Sequence, residues 1–490
     1  MELLGSHSYA LAKFIFQRGL GFCYLLAFVV VARQYLPLYG SDGLLPLKER
    51  LDDPQRETPL SFFTYFSGDW ALRAGAFVGI ALSVIATVGI SDAYGTPVSV
   101  AVWATLWLLF LSFYNAGTTF FDYTYDSLLL LELGFLAVFL GGTGTATPDL
   151  IVWLSRWTLG RLMLGSGLAK LAGDVDWRTL DALSSFFETV PFPNPLSWYL
   201  HHLPTPLLRT ATGLTLLLEL VLPVLYFFPQ PWATVAGVIT ILFQLCLICS
   251  ANLASINVLT TVLAVFTIND TTLRSLLGTT IQTTPLSDVH QLVVWVVFVV
   301  VIALSYYPVK KMLFNPTGFV RYDALPIVNT YCMYYTVAST RYEIVLEGTN
   351  DNLDADPTWK EYAFTEIPHD PASRPSQIAP YNYKLEFRLQ TESGGGAPSP
   401  WFQRCIQRLL TGDEQIASLL QTNPFPSDPP RYIRAIEYEY RFTHPSERAA
   451  TGEWWVRSNP TIYYPPVTLE DLPDDRCVSE QSSPPTFGNW

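Results

Sequence analysis

Charge is what this chain lacks most. Charged residues make up 14 % of its 490 residues, where a soluble protein of this size carries about 25 %. The deficit is local: residues 71–310 are nearly free of Asp, Glu, Lys and Arg, while 311–490 have the make-up of ordinary soluble protein. Lysine is the scarcest charge, with seven against 22 arginines. A net charge of −13 repels phosphate, so nucleic acid is excluded as a partner. A secretory disulfide framework is missing too. The six cysteines stand at 23, 246, 249, 332, 405 and 477 with no repeated pairing pattern. Cys246 and Cys249 form a CxxC inside an apolar run, which reads as two small buried apolar residues rather than a redox or metal pair. There is no HExxH, no GxSxG and no glycine-rich phosphate loop. Adjacent His201 and His202 point apart on regular structure, so neither a metal nor a cofactor is expected.

Apolar length is what the chain has. Runs of spanning length fall at about 14–36, 72–90, 98–114, 127–141, 150–171, 210–229, 232–250, 252–268 and 289–307. They predict a membrane all-α bundle of about nine transmembrane helices over 1–310, the first retained rather than cleaved. Two connections, 37–70 and 172–209, are rich in Trp, Tyr and Pro and suit short helices at the bilayer surface, roofing one face of the bundle. From 311 to 472 the pattern turns β-rich and extramembrane. IVNTYCMYYTV, RYEIVLEGT, YKLEFRLQ and YIRAIEYEYRFT read as strands of a sandwich, and WFQRCIQRLLTGDEQIASLL as a helical insert. Residues 473–490 read as a disordered tail. Lys13 and Arg18 favour a cytoplasmic start, and an odd number of spans then places the C-terminal domain outside; Lys310 and Lys311 argue the other way.

Ionisable groups inside apolar spans carry the chemical information, because burying each one is costly unless it is paired or wet. They are Asp122, Asp126, Glu132, Arg156, Arg161, Lys170 and Glu219. Lys170 reads either as an amine base or anion partner in a polar cavity, with Arg161 and Asp126 beside it, or as half of a structural ion pair with Glu132, Glu219 or Asp174, or as a lysine snorkelling to the surface. In the C-terminal domain, Trp454, Trp455, Tyr381 and Tyr383 are candidates for a client-binding surface; domain core and a seam against the membrane part is the other reading.

The chain resembles the lipase maturation factor family over about 14–472. The resemblance rests on FIFQRGLGFCYLLAF, GSDGLLP, FFDYTYDSLLLLELGF, GRLMLGSGLAKLAGD with DWR, PFPNPLSWYLHHLP and SANLASINVLT in the membrane half. In the other half it rests on IVNTYCMYYTV, RYEIVLEGT, DPASRPSQIAPYNYKLEF, NPFP and GEWWVR. It implies a membrane protein that helps a client, a secreted lipase in animal relatives of the endoplasmic reticulum, to reach its folded and assembled state. The C-terminal domain would contact that client outside the cytoplasm. The missing cysteine framework and acidic composition point to a prokaryotic cell membrane. The membrane half is also distantly similar to the HTTM superfamily of vitamin K-dependent carboxylases. There, the stretch resembling GLAKLAGDVDW, with Lys170, implies an active-site base of a membrane enzyme modifying a peptide or lipid. FYNAGTTFFDYTYD departs from that pattern, having Asn115 but no histidine.

Overall fold

A computed structural model describes residues 8–52, 60–117, 119–121, 124–318, 320, 324–392 and 398–472. The apolar runs are helical, as backbone in hydrocarbon must satisfy its hydrogen bonds internally. Among the described residues, six helices are long and apolar enough to cross a bilayer: Ala10–Tyr39, Asp69–Val88, Thr96–Ala116, Thr205–Leu225, Trp232–Ser250 and Asp288–Phe314. The protein is therefore a multi-pass integral membrane protein. A pair bent by 111°, Ile256–Thr267 with Asp270–Leu277, makes a seventh if it counts as one span. The expected nine spans are not reproduced. Tyr125–Val138 has only 14 residues, and Asp149–Ala172, though 24 long, carries Asp149, Arg156, Arg161 and Lys170.

The Ala10–Tyr39 helix is the hub, buried along most of its length. Its first free N–H groups, Ala10 N and Leu11 N, donate to the two carboxylate oxygens of Asp270 at 2.9 and 3.0 Å. That anchors its start, where orphan donors and the positive helix end favour an anion. Small residues set how closely its neighbours approach. A Cβ on Gly79 would lie 2.2 Å from the ring of Phe28, so the Asp69–Val88 helix passes directly over that ring. Cys246 and Cys249 are exposed on the outer face of their helix rather than buried as expected.

The short helices Leu47–Asp52, Val175–Thr179, Ala182–Thr189 and Ser197–His201 fall within the two long connections and form a roof against the C-terminal domain. The C-terminal domain sits on it. Its sheet is antiparallel, four-stranded and ordered β2-β1-β3-β4. The strands are β1 Arg341–Thr349, β2 Lys360–Glu361, β3 Tyr432–Phe442 and β4 Trp455–Val467. Register places Val345 opposite Ile436 and Phe442 opposite Trp455. Helices Lys384–Glu392 and Pro400–Leu410 pack on β1 and β3, so the domain is one sheet covered by helices and not a sandwich.

Three local readings change with it. IVNTYCMYYTV forms no strand, because its backbone carbonyls bond to side chains of the bundle instead of a ladder. YKLEFRLQ becomes the Lys384–Glu392 helix: Leu385 and Leu389, four apart and buried, fit a helical face as well as a strand's alternation. β4 escapes the strand reading because Pro460, Pro465 and Pro466 lie in it, which an edge strand tolerates. The helical insert holds, broken after Leu410 where Gly412 takes φ +68°. Asp122 and the tail 473–490 fall outside the described residues.

Replacing Gly79 by Val should push the Asp69–Val88 helix off Phe28 and cost about 1–3 kcal/mol. Thermal unfolding of the detergent-solubilised protein would show this as a lowered midpoint, while Ser83→Ala on the same helix should change it far less.

Candidate functional site

Three buried cations, Arg156, Arg161 and Lys170, lie on one helix, Asp149–Ala172, and each is spent locally. Arg156 donates to the carbonyls of Phe266 (3.0 Å) and Tyr226 (3.1 Å) and to the Tyr9 hydroxyl (2.7 Å). Arg161 pairs with Glu132 and donates to the Asn329 carbonyl at 2.5 Å. Glu132 also accepts from Thr158 (2.8 Å), the Tyr331 hydroxyl (2.9 Å) and the Asn329 side chain (3.2 Å). Lys170 donates to both oxygens of Glu219, at 2.8 and 2.9 Å, and to the Met333 carbonyl at 3.1 Å. Its ammonium lies 5.2 Å from the Trp177 ring. A buried pair needs such extra partners, because its mutual attraction alone does not offset desolvation. Two of the three cations thus hold the chain between the bundle and β1.

A cavity of about 240 Å³ opens beside these pairs, between the roof and the C-terminal domain. Asp126, in the first turn of Tyr125–Val138, is half-buried on its wall and accepts from Ser255 at 3.4 Å. Lys170 and Arg161 do not line it. Asn115 is likewise committed, donating to the carbonyls of Leu60 (2.9 Å) and Ala324 (3.0 Å). The fold therefore does not bring Lys170, Arg161 and Asp126 together. Of the aromatic candidates, Tyr381 lines the cavity and meets Tyr383 edge-on at 4.8 Å. Trp454 and Trp455 are 8 % and 1 % exposed and belong to the seam and the domain core rather than to an open surface. Trp454 meets Trp198 of the roof at 5.9 Å, and Trp455 stacks on Phe442 at 4.3 Å.

Residues not singled out from the sequence build that seam. Gln34 receives the Lys384 N–H (2.7 Å) and donates to the Asn382 carbonyl (2.8 Å). The Asn252 side-chain oxygen accepts from Gln377, Ile378 N and Ala379 N at 2.9–3.1 Å, while its amide donates to Pro193 and Ser376. Arg341, paired with Glu343, donates to the carbonyls of Glu188, Val190 and Pro191. Trp198 donates to the Thr443 carbonyl at 2.9 Å. The available signal was polar residues within apolar runs: Gln34 interrupts the first span, and Asn252 reads only as a turn.

Two family models match the chain: the lipase maturation factor transmembrane domain over residues 11–275 and the lipase maturation factor C-terminal domain over 327–465. The chain belongs to the lipase maturation factor family. Lipase maturation factor 1 of Bos taurus is 32 % identical, with 96 % of this chain and 91 % of the relative covered. Its Homo sapiens counterpart is also 32 % identical, with 96 % and 90 % covered. Lipase maturation factor 2 of Gallus gallus is 26 % identical, with 95 % and 82 % covered. No solved structure matches. The segment between the two family regions, 276–326, holds the last apolar helix and the start of the threaded chain.

At the seam of this family member His201 packs on Phe442 and lies 3.6 Å from Glu188, whose Oε2 accepts the Phe442 N–H at 2.7 Å. His202 is 5.1 Å from His201 and 6.3 Å from His444, ring to ring. Burial first, then the positive charges His202 and His444 would carry, holds His201 down to about 4. Burial raises Glu188 from the ordinary carboxylate range.

Two outcomes follow. Lys170→Met should leave Glu219 buried without its cation and lower stability by about 3–5 kcal/mol. Lys170→Met combined with Glu219→Leu should recover much of that loss, and a two-variant cycle of unfolding midpoints tests it. The imidazole of His201 is more easily protonated in the unfolded chain than at the seam. Stability is thus full above pH about 6.5 and falls as pH drops toward about 4, by about 2 kcal/mol for this group. His201→Gln should flatten that part of the midpoint's pH dependence between pH 7.5 and 5.

Proposed function

We propose that this chain is a membrane-embedded maturation factor that assists the folding or assembly of a secreted or membrane client protein, a lipase by the names of its relatives. The observation that carries the reading is the continuity of the two family regions. The start of the second region, from Asn329 to Tyr334, is bonded to Arg161 and Lys170 of the bundle and to Trp177 of the roof. The sheet domain is bonded to the roof through Arg341, Asn252 and Trp198. The membrane half so holds the C-terminal domain at a fixed height and orientation over the bilayer, which a factor meeting its client there requires. In this reading the domain faces the extracytoplasmic side of a prokaryotic cell membrane. Tyr381 and Tyr383 are the client-facing candidates that retain exposure. The alternative, a membrane enzyme with Lys170 as base and Arg161 and Asp126 beside it, draws no support from the arrangement, since Glu219 and Glu132 occupy the two cations.

Co-expression with a secreted homodimeric lipase in a host lacking its own factor tests the proposal. Lipase activity per mass of secreted lipase should rise several-fold with the intact chain and fall back when Arg341→Ala and Trp198→Ala loosen the seam. Unchanged specific activity at normal membrane abundance of the chain would overturn the maturation role.

A further inference from the structure

The 240 Å³ cavity has walls of an unusual origin for a membrane protein. Residues 124–126, 186–192, 252–256, 332–338 and 381–391 supply them, and none comes from the six spanning helices. Walls drawn from the roof, the bundle ends and the C-terminal domain favour a guest from the water layer over one from the hydrocarbon. Phe186, Phe192, Tyr334, Tyr381 and Phe387 make the walls largely apolar and aromatic. The volume lies below the about 300–1,000 Å³ of small-molecule pockets, which suits one or two large side chains and not a whole diacyl lipid.

Two acceptors aim into it. Asn382 is only 8 % exposed, and its side-chain oxygen has no hydrogen-bond partner. Buried acceptors are nearly always paired, so this one asks for a donor. Asp126 is the other, and both also line a small neighbouring pocket next to Lys384, to which Leu26, Ala27 and Val30 of the Ala10–Tyr39 helix contribute. Arg388 stands on the wall with its guanidinium donating to the Thr119 carbonyl. Two cations close by disfavour a cationic guest. Neutral N–H donors on an apolar segment match what is left.

We propose that this cavity binds an extended apolar segment of an incompletely folded client, one or two large side chains filling the aromatic walls and main-chain N–H groups donated to Asn382 and Asp126. This rests on the maturation reading above. The guest site is then distinct from the buried ion pairs and requires both family regions, since neither alone closes it.

Fluorescence anisotropy tests the site on the full chain in nanodiscs, with a fluorescein-labelled Gly-Ser-Phe-Leu-Ser-Gly peptide and a control in which Ser-Ser replaces Phe-Leu. The Phe-Leu peptide should bind at least tenfold tighter than the control. Asn382→Leu, which keeps the size and the backbone carbonyl bonded to Gln34, should weaken it about tenfold. Thr391→Trp, filling the cavity from its rim, should abolish it; Thr189→Trp from the opposite rim serves if the first variant unfolds, judged by its midpoint. Equal binding of both peptides, or binding unchanged in the rim and Asn382 variants, would overturn the site. So would displacement of the peptide by lysophosphatidylcholine monomers as effective on the Asn382 variant as on the unaltered chain, which would mark a lipid site. The lipase assay separates the two ideas. Lipase maturation without peptide binding sinks the cavity assignment alone; peptide binding without maturation of any lipase sinks the maturation reading alone.

Discussion

A guanidinium and an ammonium buried within apolar helices need partners of the right charge and also enough acceptors, and this fold finds the second kind outside the bundle. Arg161 and Lys170 take their carboxylates from other helices, Glu132 and Glu219, and add the carbonyls of Asn329 and Met333 as further acceptors. Those carbonyls lie on the chain leading to β1. Satisfying buried charge and fixing the path of that chain are therefore one event. Everything above it follows, because β1 starts at Arg341, whose own donors close on the roof at Val190 and Pro191.

This coupling sets a belt of polar contacts between the bundle and the C-terminal domain, beside an apolar core that continues from one into the other where Phe120 meets the Trp401 ring at 5.3 Å. Below it, the hub helix packs through glycine contacts such as Gly79 on Phe28. Above it, the sheet domain buries Leu385, Leu389 and Trp401 among its helices and strands. Between them, Gln34, Asn252 and Trp198 place side-chain donors and acceptors directly against backbone of the C-terminal domain. A seam of this kind is directional where apolar packing is not, and it fixes register as well as proximity.

The same belt accounts for the cavity's position. Roof helices, bundle ends and the threaded chain meet there at angles that side chains do not fill. The unpaired oxygen of Asn382 lies at that junction, one residue from Tyr381 and two from Lys384, whose N–H is bonded to Gln34. A segment fixed by its backbone has little freedom to turn an unpaired side chain elsewhere.

Hydropathy alone determined that the chain is a multi-pass membrane protein, because apolar run length is a local property that a bilayer reads directly. The ordered segments in both halves also marked the family before any geometry. Tertiary structure decided the rest. Whether 14 residues at Tyr125–Val138 or a charged helix at Asp149–Ala172 counts as a span depends on what surrounds it. YKLEFRLQ chose helix because Leu385 and Leu389 had a sheet to cover, and the proline-bearing β4 became a strand because an edge was open to it. Which carboxylate would meet Lys170 was open among Glu132, Glu219 and Asp174, since sequence separation says nothing of which helices lie side by side. Only the packed bundle chose Glu219, and only the threaded chain, arriving 163 residues later in sequence, supplied the last acceptor.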